Sequence, residues 1–167
     1  TLLGILRLGG ALSCGLNTPE FKARMRLYEI ETLREADATA ALVAALYRNM
    51  HDFGRFSQIS LLYFAAASFM ETARRLDRPE LAGDAFLALD HPWFGSRLME
   101  LLRQEQAGRL DGLQTLQTAV RNTIEPIDVA GLLIARRNWY PSITPETAAA
   151  AARKLGADER LAPRLLE

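Results

Sequence analysis

The sequence predicts an all-α fold, an irregular multi-helix bundle with one long helix in its N-terminal half. Three observations carry that expectation. No stretch alternates apolar and polar residues with β-branched enrichment, as a half-buried strand would. Apolar residues recur instead at three- and four-residue steps. Helix start and stop signals, among them Thr18-Pro19, Thr144-Pro145, Gly108 and Gly156, punctuate those runs.

The first helix is expected over residues 1–14. TLLGILRLGGAL places Leu2, Ile5, Leu6, Leu8 and Leu12 at helical spacing, while Gly4, Gly9 and Gly10 leave room for another backbone. Each glycine weakens a helix by about 1 kcal/mol relative to alanine, so packing is the expected purpose. The segment has no convincing N-cap, and Thr1 reads as a cut or processed end with a partner lying upstream. Self-association through residues 2–12 is the alternative use of the same face.

Thr18 as N-cap, Pro19 at the first helical position and Glu20 in the first turn open the long helix, and no breaker follows before Gly54. About 33 residues at ~1.5 Å each make it roughly 50 Å long. Phe21, Met25, Tyr28, Ala36, Ala40, Val43, Leu46, Tyr47 and Met50 form its expected core-facing stripe. HDFGRF, residues 51–56, is expected to turn the chain. Residues 57–76 are apolar on nearly every face and predict a central, buried helix. Its run SLLYFAAASFM falls short of the ~20 residues that cross a membrane, so no membrane partner is expected.

Pro79, Gly83 and Pro92 punctuate the next passage, then helices are expected over 93–107, ended by Gly108, and 110–123, weakened by Gly112. IEPIDVAGLLIARRNWYP departs from this pattern, and residues 124–143 are expected to form a non-helical docking segment. Pro126 and Pro141 fix its path, and Arg136 and Arg137 are placed to pair with carboxylates or stack on Trp139 and Tyr140. It either docks on a neighbouring surface or folds back over its own helices, and the residues leave both open. Thr144 and Pro145 start a last, alanine-rich helix that stops at Gly156.

A chain of 167 residues suits one helical domain, 1–167, with a sizeable core. Apolar residues at 49% and charged residues at 24% argue against disorder. Twenty basic residues balance twenty acidic ones, which leaves no electrostatic footprint for nucleic acid. The lone Cys14 fits a reducing compartment, and no charged n-region precedes an apolar h-region, so a cytoplasmic location is expected.

Candidate chemistry is sparse. His51 beside Asp52 and His91 beside Asp90 read as turn or capping pairs rather than as metal ligands, and no metal site is expected. Cys14 lacks the local pattern of a Cys-His nucleophile, and neither phosphate-cradling glycine motif occurs. Glu29, Glu31, Glu35 and Asp37 alternate with Arg24, Arg26 and Arg34. No histidine stands three residues after any of these acids, so a solvated, ion-paired face is expected rather than a di-iron site. The aromatic residues Phe53, Phe56, Tyr63, Phe64, Phe69, Phe86, Trp93 and Phe94 read first as core and second as the lining of an interhelical pocket.

Taken together, TLLGILRLGGAL, FKARMRLYEIETLREAD, LYRNMHDFGRFSQISLLYFAAASFMETARRL, DHPWFG and IEPIDVAGLLIARRNWYP resemble the C-terminal region of FAD-dependent oxidoreductases related to flavin-dependent halogenases and monooxygenases. The resemblance implies a helical layer that packs on an upstream FAD-binding domain and helps enclose a small organic substrate, inactive alone. TLLGILRLGGAL resembles the helix that follows the flavin loop, which would put Thr1 and Gly4 nearest the flavin. Tyr63, Phe64 and Phe69 would line the substrate, and Arg136, Arg137, Trp139 and Tyr140 would dock on the missing part. The family's dinucleotide fingerprint and catalytic lysine would lie upstream, so no catalytic residue falls within this chain, and FAD would belong to the parent protein. A stand-alone helical binding or scaffold protein, dimeric through the glycine face, is the alternative.

Overall fold

The computed structural model describes residues 2–134 and 143–166. It is all-α, with no strand among the described residues. Helix α1 spans Leu2–Leu12, α2 Pro19–Arg48, α3 Phe53–Arg75, and a single turn α4 Pro79–Ala82. A 3-10 turn at Phe86–Ala88 leads to α5, Phe94–Gln106, and α6, Leu113–Ile124; α7 spans Pro145–Lys154, and a further 3-10 turn covers Glu159–Leu165.

Local chemistry sets these boundaries. Thr18 Oγ1 accepts the Phe21 N–H at 3.1 Å with Pro19 in the first turn, and Asp52 Oδ1 accepts the Arg55 N–H at 3.1 Å to open α3. The expected 51–56 turn is therefore shorter than its sequence implied, because Asp52 caps a helix that already includes Phe53 to Phe56. Thr144 and Thr147 form a reciprocal capping box on α7, which ends before Gly156 in a left-handed conformation, φ +59°.

Helix α3 is the axis of the molecule, packed by α2, α4, α6 and the 86–88 turn. Ile59, Leu62, Ala65, Ala66 and Ala73 have no solvent exposure. Small residues on its inward faces let several neighbours approach, so 57–76 lies at the centre as expected, although Tyr63, Phe64 and Ala67 remain exposed. Gly95 admits the closest approach: a Cβ there would stand 2.1 Å from the Leu89 carbonyl oxygen.

Helix α2 follows the expected stripe only in part: Phe21, Met25, Tyr28 and Leu46 are half-buried, Leu46 against the core. The residues it buries are Glu35, Ala38, Leu42, Ala45 and, at its C-cap, Asn49, whereas Ala36, Ala40, Val43, Tyr47 and Met50 of the expected stripe face outward. Two apolar stripes share one helical period, and the partners α3 and α5 select the one built of small side chains.

The first part of segment 124–143 folds back over its own helices. Ile127 and Val129 are buried, Asp128 accepts the N–H groups of Leu132 at 2.7 Å and Leu133 at 3.1 Å, and Lys154 Nζ donates to the Asp128 carbonyl at 3.1 Å. Residues 135–142, with Arg136, Arg137, Trp139 and Tyr140, lie outside the described residues, as does Thr1.

Candidate functional site

Two buried carboxylates lock the fold around the region of interest. Arg7 on α1 donates to Glu35 of α2 at 2.5 Å and to the Asp84 carbonyl, and Glu35 also accepts the Phe86 N–H at 2.8 Å. Arg7 Nε lies 3.2 Å from Glu31 as a charge contact without an aligned hydrogen bond. The bond to Glu35 raises the Arg7 pKa, with burial opposing it. Glu35 thus leaves the solvated face expected for it: it is the acid that holds α1 and the 84–86 turn on α2.

At the other end of α2, Glu105 is buried and accepts from Asn49 Nδ2 at 2.7 Å and from Arg48. Asn49 Oδ1 accepts from Arg55 Nε at 2.6 Å, and Arg55 Nη1 reaches the carbonyls of Leu110 and Asp111 at 2.8 and 2.7 Å. This network joins α2, α3 and the α5–α6 corner. Nothing in the local sequence singled out Asn49 or Glu105, because their side-chain partners are 6 to 57 residues away.

His91 behaves as a capping group. His91 Nδ1 accepts the Phe94 N–H at 3.1 Å and the Trp93 N–H at 3.3 Å at the start of α5, and burial lowers its pKa. Among the described residues, no three His, Cys, Asp or Glu side chains gather as metal ligands would.

Two cavities flank this framework. One of about 430 Å³ lies between the second half of α3 and α7, walled by Phe64, Ser68, Thr72, Val129, Leu132 and Ala148. Several of its polar groups are engaged: Ser68 Oγ donates to the Phe64 carbonyl at 2.5 Å, and Glu71 pairs with Arg75 at 2.9 Å at the rim. It suits an apolar organic group, and its described lining residues include no nucleophile paired with a base. Phe64 stands in it, and Tyr63 meets Phe64 edge-on at 5.5 Å. Phe69 is in the core instead, edge-on to His91 at 5.2 Å, so the structure brings together two of the three aromatic residues expected to line a substrate. The alanine run of α7 was the readable sign of the cavity, since Ala148 and Ala151 leave the space.

The other cavity, about 540 Å³, opens between α1 and α2 beside Leu3, Leu6, Arg7, Arg24, Glu31 and Asp84. A flavin pyrophosphate needs uncompensated donors. Here Glu31 and Asp84 offset the two arginines, so this cleft does not fit FAD. Gly4 lies in α1, half-buried, near that cleft but not among its lining residues.

Compared with known proteins, the chain matches no family model, no curated protein and no solved structure. What the fold defines is an all-α unit in which no described helix is long and apolar enough to cross a membrane.

Proposed function

We propose that this chain is the helical, domain-packing and substrate-covering portion of a flavin-dependent oxidoreductase of halogenase or monooxygenase type. An upstream FAD-binding domain of the parent would hold the cofactor and perform the chemistry on a small organic substrate. One observation carries the reading. Helix α1 is pinned to α2 through Arg7, yet it presents Ile5 at 67% exposure and Leu12 outward, with Leu6 at 70% exposure beside the cleft. An apolar side held rigidly in the open is the form of a surface made for another domain. The cavity beside Phe64 supports the substrate-covering role, since its lining takes an apolar organic group. Cys14, a free and half-buried thiol, supports a reducing, cytoplasmic setting.

The test is the intact mass and visible absorbance of the protein as its native host makes it. A flavin spectrum in a species heavier than 18.6 kDa is the expected result. A colourless species at 18.6 kDa would overturn the assignment and leave a stand-alone helical binding protein.

A further inference from the structure

Thr72 is out of step with the other hydroxyls set inside the helices. Thr39, Ser60, Ser68, Thr118 and Thr123 each donate to the carbonyl four residues back, at 2.5 to 2.9 Å. Thr72 in α3 is half-buried, and its hydroxyl has no hydrogen-bond partner among the described residues. It lines the cavity of about 430 Å³ between α3 and α7. Arg75, one turn further on, lines the same cavity. Its Nε is held by Glu71 at 2.9 Å, and its two terminal nitrogens have no partner among the described residues.

We propose that this cavity binds a compact apolar molecule carrying one uncharged carbonyl: a ketone, ester or amide. Its volume falls within the ~300–1,000 Å³ of small-molecule pockets, and Phe64, Val129, Leu132, Ala148 and Leu165 give it apolar walls for the body of such a ligand. Thr72 and Arg75 supply the polar end. Three residues apart, they share one face of α3, and both have hydrogens to donate where a carbonyl oxygen has two lone pairs to accept them. Charge decides between a carbonyl and a carboxylate. Glu71 already offsets Arg75, and these two are the charged side chains among the described lining residues, so a carboxylate would enter beside Glu71 with no charge left to balance it. A pure hydrocarbon would cover the Thr72 hydroxyl without bonding it, which costs affinity. The inference deepens the substrate-covering reading, and rests on it for calling this ligand the substrate.

Fluorescence titration of the full chain tests this with three matched dimethylaminonaphthalenes, bearing a propionyl, a carboxylate or a propyl group. The propionyl ketone should bind tightest of the three. Thr72→Val keeps the side-chain shape and removes the hydroxyl; it should weaken the ketone about three- to tenfold, the worth of one hydrogen bond, and leave the propyl probe unchanged. Arg75→Gln should act in the same direction, while Leu6→Ser, at the α1–α2 cleft, should alter none of the three. Circular dichroism of each variant checks that the helices persist. A ketone that fails to bind, binds no better than the propyl probe, keeps its full advantage in Thr72→Val, or is surpassed by the carboxylate would overturn the inference, as would loss of binding in Leu6→Ser. The flavin reading is decided separately by native mass and absorbance: a colourless 18.6 kDa species that still prefers the ketone would remove the parent enzyme and keep this site.

Discussion

At single residues, the structure turns on buried polar groups whose partners are distant in sequence. Glu35 is held by the Arg7 guanidinium and the Phe86 N–H, so Glu35→Ala strips the largely buried Arg7 of its hydrogen-bonded carboxylate and leaves it only the charge contact with Glu31. Removing one partner of such a pair costs about 3 kcal/mol, to be measured by urea unfolding. Asn49→Ala strips a partner from both Glu105 and Arg55 and is expected to cost about 2 kcal/mol by the same measurement. His91 gives a pH dependence of defined sign. Burial lowers its pKa in the folded protein, so between that lowered value and the ordinary ~6.5 the unfolded chain binds more protons. Stability is full above about pH 6.5 and falls as pH drops through the folded pKa, because the protonated ring loses its acceptor for the Phe94 N–H. Unfolding midpoints at neutral and mildly acidic pH should show this loss in the wild type and not in His91→Asn.

At the scale of elements, two junctions decide where helices begin and how closely they pack. Thr18→Ala removes the N-cap acceptor for Phe21 and is expected to destabilise by about 1 kcal/mol, read as a lower denaturant midpoint with an unchanged slope. Gly95 is more severe. A methyl group there would collide with the Leu89 backbone, which sits just after Leu87 and Ala88, two residues already in left-handed conformations at φ 58° and 49°. Gly95→Ala therefore must push α5 off the 86–91 turn, an overpacking cost of about 3 kcal/mol that thermal unfolding would register. Helix α7 is fixed from outside its own sequence: Arg78 Nη1 donates to the carbonyls of Leu155 and Gly156 at 2.8 and 2.6 Å and satisfies acceptors that a helix end leaves open.

Across the whole molecule, α3 organises the core and the surfaces are left to other contacts. Leu62 is fully buried on the central helix, and Leu62→Ala should cost about 3 kcal/mol through lost burial and the cavity it opens, lowering the urea midpoint without changing its slope. Large apolar residues stand exposed on more than one helix, Ile5 and Leu6 on α1 and Tyr47 and Met50 on α2 among them.

Much of the fold was legible in the residues, for a physical reason. Caps at Thr18, Thr144 and Gly156 act on backbone groups within four positions, so Thr18-Pro19-Glu20 and the alanine-rich 145–154 marked their helices directly. The dense apolarity of 57–76 likewise marked a centre, since such a helix buries more than one face, even though Tyr63 and Phe64 stay exposed. The candidate site was less legible. Phe64 reached the cavity, but Phe69 turned into the core against His91, because three aromatic residues in one helix need not share a face. By itself, then, the sequence determined an all-α chain, most of its helix boundaries and its central helix, all of which depend on near neighbours. Only the tertiary structure decided which stripe of α2 goes inward, that Glu35 and Glu105 are buried, and where a cavity remains. Both α2 stripes share one period, and a carboxylate is buried only if a distant cation or amide arrives to meet it; those are properties of partners up to 57 residues away, which no local pattern contains.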